Sequence, residues 1–313
     1  MSGIERVAYD EFGLFHENAA EHGLPYDGPP AVRRTEVEVG GDRRLSALVW
    51  GEGEPEVVLL HGGAQNAHTW DTVALALRPR PLVAIDLPGH GHSDAPAGGL
   101  SRRRLPEAAA QDVEVAIRAL APGAAGVVGM SLGGLTAIAL TGRAPELVRR
   151  LALVDVLPGI HADRSRHITD FVDGPVTFPS LEDLLARTMA FNPTRSESSL
   201  RRGILHNALQ LDDGSWVWRH SRWRLDDPGQ APPPAPEPGT TIHDGLADVL
   251  AAIDVPVLLA RGLRPDSVLR DDDEQRLRDR LPSAAVVHFA EAGHSIQGDM
   301  PVELAATLAD FIP

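Results

Sequence analysis

Gly126-Val127-Val128-Gly129-Met130-Ser131-Leu132-Gly133-Gly134 is the stretch on which the fold turns. Its opening residues form a short apolar run of the kind that makes a buried strand, and Leu132 to Arg143 reads as a helix. Between the two stands a serine with glycine two positions before and two after. A chain that passes directly from strand to helix turns so tightly that only glycine fits beside the strained residue. The serine hydroxyl is then presented at a helix N-terminus, where developing negative charge is favoured. In a chain with 30 Gly the string Gly-x-Ser-x-Gly can arise by chance, so the weight rests on its strand-turn-helix setting.

Outward from this point the same alternation continues. Val57 to Leu60, Leu82 to Ile85, Leu151 to Val156 and Val255 to Ala260 are continuous apolar runs, as expected of strands covered on both faces. Val37 to Val39 and Leu45 to Trp50 read as strands joined at Gly40-Gly41-Asp42, a hairpin signal. Helical segments such as Leu105 to Leu120 lie between the runs, and Ala285 to Phe289 followed by Pro301 to Phe311 completes the series. The pattern predicts an α/β fold, a doubly wound and mostly parallel eight-stranded sheet with helices on both faces.

One region interrupts the pattern. Residues 158–253 carry helical segments at Leu181 to Ala190 and Ser199 to Leu211, then Trp216-Val217-Trp218, Trp223 and a proline-rich run from Gln230 to Gly239. Roughly ninety residues between two core strands are too many for a plain loop, so this is expected to be a mainly helical cap inserted after the sixth strand. The core is then 35–157 with 254–313. Residues 1–34 form an N-terminal arm ending in the turn-rich Tyr26-Asp27-Gly28-Pro29-Pro30, expected to pack on the body or on a neighbouring subunit.

Composition removes several chemistries. The 313 residues include no Cys, and all 29 basic residues are Arg. There is no thiolate nucleophile, no sulfur-ligated metal, and no lysine for a Schiff base or a phosphate-binding loop. A net charge of −15 disfavours nucleic acid and anionic membrane as partners. No run approaches the length of a membrane span, and the first twenty residues, with Glu5, Asp10, Glu11 and Glu17, are not a secretory signal. The expectation is a cytoplasmic protein acting on a small molecule, with a homodimer possible in principle.

These motifs resemble the α/β-hydrolase family over Thr35 to Pro313, apart from the divergent cap. Leu59-Leu60-His61-Gly62-Gly63-Ala64, with Trp70 nine residues beyond His61, is similar to that family's oxyanion loop. The resemblance implies that Ser131 is the nucleophile and that the Gly63 and Leu132 N–H groups form the oxyanion hole. His61 is read as a brace for the loop. His90 and His92, in Asp86-Leu87-Pro88-Gly89-His90-Gly91-His92, are read as structural, and neither a metal nor a cofactor is implied. Ala292-Gly293-His294-Ser295 follows the last strand, where the family places its catalytic base, which assigns His294.

Two residues compete to be the triad acid. Asp266 follows the penultimate strand in Gly262-Leu263-Arg264-Pro265-Asp266, one position later than the commonest family spacing; Asp155 ends the strand after the nucleophile helix. Asp155 is flanked by apolar residues and would be costly to bury without a partner such as His294, and the reading leans to Asp155. A serine nucleophile argues against dehalogenase and epoxide hydrolase chemistry, and the absence of Lys against hydroxynitrile lyase. The resemblance then implies hydrolysis of an ester or lactone through an acyl-enzyme. A carbon–carbon bond hydrolase is the alternative, and a non-catalytic ligand-binding protein a further one. Trp70, Met130, Trp216, Trp218 and Trp223 are candidates for the wall of a pocket suited to a bulky apolar or aromatic substrate, although the cap tryptophans serve equally well as the cap's own core. Met189 and Phe191 are read as cap packing.

Overall fold

The computed structural model describes residues 6–96, 105–221, 237 and 240–313; Trp223 and nearly all of the proline-rich run lie outside the described residues. The alternating sequence builds β1 (Val32–Gly40), β2 (Arg43–Trp50), β3 (Val57–Leu60), β4 (Leu82–Ile85), β5 (Gly126–Met130) and β6 (Leu151–Val154) before the insertion. The insertion adds the short strands β7 (Ile160–His161), β8 (Thr177–Phe178), β9 (Ala208–Gln210), β10 (Trp216–Trp218) and β11 (Thr241–Ile242), and β12 (Val257–Gly262) and β13 (Ala285–Phe289) complete the core. Eight strands form one sheet in the order β1-β2-β4-β3-β5-β6-β12-β13. Only β2 runs against its neighbours.

Strand periodicity explains why the runs are apolar throughout. Val58 and Leu60 point into one buried cluster with Val127, Leu153 and Leu259, under Val113, Ile117 and Ile138. Val57 and Leu59 point to the opposite face, with Val128 and Val154, against Val73, Leu304 and Leu308. The helices supplying those residues are α2 (Asp71–Ala76), α3 (Leu105–Leu120), α4 (Leu132–Arg143) and the C-terminal helix Pro301–Phe311. In β1, by contrast, half-buried and exposed residues alternate. Its N-terminal half, with Arg33, Arg34 and Glu36, has too few apolar residues to read as a strand, and pairing with β2 from Val32 onward fixes it.

The arm carries α1 (Phe15–Glu21), whose Phe15 is buried in the core with its ring centroid 4.8 Å from that of Trp50. The cap comprises α5 (Arg166–Val172), α6 (Leu181–Phe191), α7 (Glu197–Asn207), a three-stranded sheet β8-β10-β9 and the two-stranded ribbon β11-β7. The helix expected to reach Leu211 stops at Asn207 because Ala208–Gln210 pairs instead with Trp216–Trp218. Trp216 and Trp218 lie in a cluster with Phe178, Leu181, Leu184 and Ile204, so the small cap has a core of its own. No described helix is long and apolar enough to cross a membrane.

Candidate active site

The turn at Ser131 is as tight as its glycines suggest. Ser131 has φ 50°, outside the usual range of L residues. A side chain at Gly133 would collide with the Leu60 carbonyl, and one at Gly129 with the Gly133 backbone, so β5, α4 and the end of β3 close on one another only because both residues are glycine. Leu132 opens α4, and the Gly63 N–H lies on a loop with open space around its Cα. The Gly62 N–H is held by Gln65 Oε1 at 3.0 Å; neither the Gly63 nor the Leu132 N–H has an acceptor among the described residues. Both residues line the cavity that holds Ser131, and an oxyanion site requires free N–H donors of this kind. His61 is fully buried: its Nδ1 donates to the Gly62 carbonyl at 2.7 Å and its Nε2 accepts the Leu87 N–H at 2.9 Å. Burial pushes its pKa down to about 3, so it is a neutral strut beneath the loop.

His294 is brought to Asp155 and not to Asp266. His294 Nδ1 donates to Asp155 Oδ2 at 2.9 Å. The Asp155 carboxylate, fully buried, also receives the Gly262 N–H (3.0 Å) and the Ser267 hydroxyl (2.7 Å) on Oδ1 and the Val268 N–H (3.2 Å) on Oδ2. Four donors compensate the cost of burying the charge. Asp155 itself has φ 47°, so the chain bends sharply off β6 at the residue that meets the imidazole. Asp266 is exposed on the loop whose next two residues hold Asp155, and it makes no hydrogen bond to His294. With Nδ1 engaged by a carboxylate, the lone pair of His294 resides on Nε2. Among the described residues no hydrogen bond joins Ser131 Oγ to His294, although both line one cavity; such bonds commonly tighten only once substrate is bound.

That cavity, about 2310 Å³, lies between core and cap. Of the predicted wall residues, Met130 and Trp218 line it. Trp70 and Trp216 do not: Trp70 is fully buried in the core cluster beneath the oxyanion loop, and Trp216 is held in the cap core with its strand neighbours. Phe191, read as cap packing, proves to face the cavity, where its ring stacks on Phe171 at 4.1 Å; Met189 is exposed. The sequence reading missed α5, which contributes His167, Ile168 and Phe171 to the wall. Its available signal was Ile168, Phe171 and Val172 at i, i+3 and i+4.

Behind the oxyanion loop, arm, core and cap meet in a buried ionic cluster. His68 Nδ1 lies 2.9 Å from Asp71 Oδ2, and its Nε2 lies 3.1 Å from Glu11 Oε1. Burial opposes a charge on His68, but the two carboxylates outweigh it and hold its pKa up at about 9. Glu11, against burial, is held down at about 2 by His68 and Arg34. His206 stacks on His68 at 3.8 Å and is kept neutral by burial, its Nδ1 2.7 Å from the Tyr9 hydroxyl. His68, Asp71 and His206 place ligand atoms within 4.8 Å of one another. Their rings are only 11° from parallel, so the in-plane lone pairs run side by side and do not converge. Of the two histidines read as structural, His90 has its Nδ1 on the Pro88 carbonyl at 3.0 Å, and the His92 N–H donates to Asp86 Oδ2 at 3.0 Å.

The sequence profile of the alpha/beta hydrolase fold matches residues 55–301. Esterase Rv0045c of Mycobacterium tuberculosis is 42% identical over 311 residues, covering 96% of this chain and 95% of that protein. A crystal structure of that esterase superimposes with a TM-score of 0.77 at 37% identity, covering 98% of this chain and 99% of the other. A pimeloyl-[acyl-carrier protein] methyl ester esterase of Nitrosomonas europaea is 30% identical over 250 residues, covering 77% of this chain and 89% of that protein. With the profile spanning most of the core and a relative of this identity along nearly its whole length, the chain belongs to the α/β-hydrolase family and is a hydrolase.

Proposed function

We propose that this hydrolase is a serine esterase that cleaves an ester or lactone of a bulky, largely apolar small molecule through an acyl-enzyme. The observation that carries the reading is the 2.9 Å contact between a fully compensated Asp155 and His294, which lines the same cavity as Ser131. Ser131 Oγ attacks the ester carbonyl carbon as its proton passes to His294 Nε2. The Gly63 and Leu132 N–H groups receive the oxyanion, and Asp155 stabilises the imidazolium through Nδ1–H. Collapse of the intermediate expels the alcohol, which takes the proton from His294. Water, deprotonated by the same nitrogen, then releases the acid and restores Ser131. The names of the two relatives support ester cleavage. The stacked Phe171–Phe191 pair and Trp218 on the cavity wall support an apolar substrate portion.

The test is a panel of p-nitrophenyl esters, lactones and a vinylogous diketone, together with labelling by an active-serine phosphonate. Ester or lactone turnover with labelling at Ser131, both abolished in Ser131→Ala, is the expected result. Turnover of the diketone alone would replace the reading with carbon–carbon bond hydrolysis, and a folded protein that is never labelled would leave a ligand-binding role.

A further inference from the structure

Two guanidinium groups line the cavity, and their surroundings differ. Arg202, on α7, is ion-paired with Glu17 and Glu21 of the arm and donates to Asn18 Oδ1 at 2.8 Å and Ser198 Oγ at 2.6 Å. Arg195, in the turn between α6 and α7, donates only to Ser199 Oγ, at 2.5 Å, and has no carboxylate within 4 Å among the described residues. The acids that act on it from a distance are Asp299, whose Oδ2 receives the Gly293 N–H at 2.9 Å, and Glu21, already engaged by Arg202 and Ser196. The nearby cation is Arg202. Burial accordingly pushes the pKa of Arg195 down, whereas the carboxylate-paired Arg34 and Arg261 are pushed up in spite of burial. An arginine set into a cavity wall without its counter-ion lacks the partner that normally compensates its desolvation.

Packing against one glycine bounds its distance from the catalytic histidine. The Arg195 guanidinium packs where a side chain on Gly298 would stand, so residue 298 must be glycine for it to lie there. Gly298 is four residues beyond His294, a length of chain that spans at most about 14 Å. The cavity wall also carries amides, among them Asn18, Asn66, Asn207 and Gln297, beside the aromatic residues of α5 and α6. Gln297 Oε1 is buried without a hydrogen-bond partner.

We propose that Arg195 anchors a carboxylate carried by the substrate, so that the ester cleaved at Ser131 belongs to a molecule with an acidic end some four to ten bonds from the scissile carbonyl. The unengaged edge of the guanidinium presents the fork that matches a carboxylate in two parallel hydrogen bonds. This deepens the serine-esterase reading and rests on it.

The experiment compares mono-p-nitrophenyl esters of dicarboxylic acids, from adipate to sebacate, with p-nitrophenyl alkanoates of equal length. A second series places the carboxylate on the alcohol side, as carboxyalkyl butyrates against alkyl butyrates. The quantity read is the ratio of kcat/KM for the charged ester to that for its neutral twin, in which the fraction of correctly folded enzyme cancels. In at least one series the ratio should exceed one at a preferred chain length. Arg195→Gln should lower that ratio tenfold or more, and Arg195→Lys, which keeps the charge without the fork, should lower it less. A ratio below one at every length, or a ratio unmoved by Arg195→Gln while neutral esters are cleaved, overturns the anchor alone. Failure to cleave either twin, with Ser131 unlabelled by phosphonate, overturns the esterase reading and the anchor together.

Discussion

Asp155→Asn separates the two candidate acids, and the hydrogen bonds around Asp155 say how it should act. Each carboxylate oxygen faces one backbone donor that cannot turn away: Gly262 N–H at 3.0 Å on Oδ1 and Val268 N–H at 3.2 Å on Oδ2. The asparagine NH₂ must therefore confront one of them. Placed at the Oδ1 position it meets the closer donor and the Ser267 hydroxyl; placed at Oδ2 it meets the more distant donor and His294, which can shift its proton. The second arrangement is the cheaper. It makes His294 Nδ1 an acceptor and leaves the proton on Nε2, where it blocks transfer from Ser131. Loss of the correct tautomer in a serine triad lowers kcat by roughly 10⁴, equivalent to about 5 kcal/mol in the barrier. The confronted N–H should also reduce stability by about 1–3 kcal/mol. The assay is kcat on p-nitrophenyl butyrate, with urea denaturation to show that the variant is folded at the assay temperature. The reasoning is refuted if Asp155→Asn keeps more than a tenth of kcat, or if Asp266→Asn produces the larger fall.

The remaining expectations concern the ionic cluster and the cap. His68 has its folded pKa raised to about 9, so its contribution is complete below the unfolded value near 6.5 and is lost as pH rises through 9. The shift corresponds to at most about 3 kcal/mol for a side chain this buried. Urea midpoints at pH 6.5 and 9.5 should differ accordingly, and the difference should shrink in Glu11→Gln; a flat profile would mean that the imidazole is uncharged in the native state. For the cap, Trp218→Ala should raise KM for an aryl ester more than for a small acetate ester, because Trp218 lines the cavity. Trp216→Ala should instead lower the melting temperature with little selectivity between substrates, since it removes a buried ring from the cap core at a cost of about 3–5 kcal/mol. Equal effects of the two substitutions on both readouts would sink the distinction.

The parts of this fold legible in the sequence are those governed by local constraints. The apolar runs of β3, β4 and β5 give their strands to the residue, because strands covered on both faces have nowhere to put a polar side chain. The turn at Ser131 is legible because only glycine permits its approach to Leu60. The contest between Asp155 and Asp266 was harder to read, because both lie on loops at the same end of the sheet. What separates them is a set of donors, Gly262, Ser267 and Val268, assembled from the end of a neighbouring strand and the loop after it, more than a hundred residues away. Trp70 was misplaced for a related reason. An aromatic residue beside an oxyanion loop can point up to the substrate or down to the core, and its composition is the same in both cases. Here it points down, with Val73 and Leu304. The α5 wall was missed because seven residues are too few for an apolar stripe to stand out.

The arm acquires its meaning from the charges it brings. In a chain with 44 acidic residues against 29 Arg, the long-range field repels an anionic substrate, and its capture depends on a local cation that the protein's own acids have not neutralised. The arm supplies Glu11, Glu17 and Glu21. Glu11 is bound to Arg34 and His68, and the other two pair with Arg202 at the back of the cavity. Without those carboxylates Arg202 would stand in the cavity as a second unpaired guanidinium, and two cations would compete to hold an acidic end in two places. With them, Arg195 is the one cavity-lining arginine without an ion-pair partner among the described residues. An N-terminal segment that touches no reacting atom thereby decides where in the cavity a negative charge is welcome. The Arg195 guanidinium packs against Gly298, four residues beyond His294, and the same cavity wall carries Phe171 and Phe191, so a substrate whose acid is held at Arg195 has aromatic surface available for its apolar body.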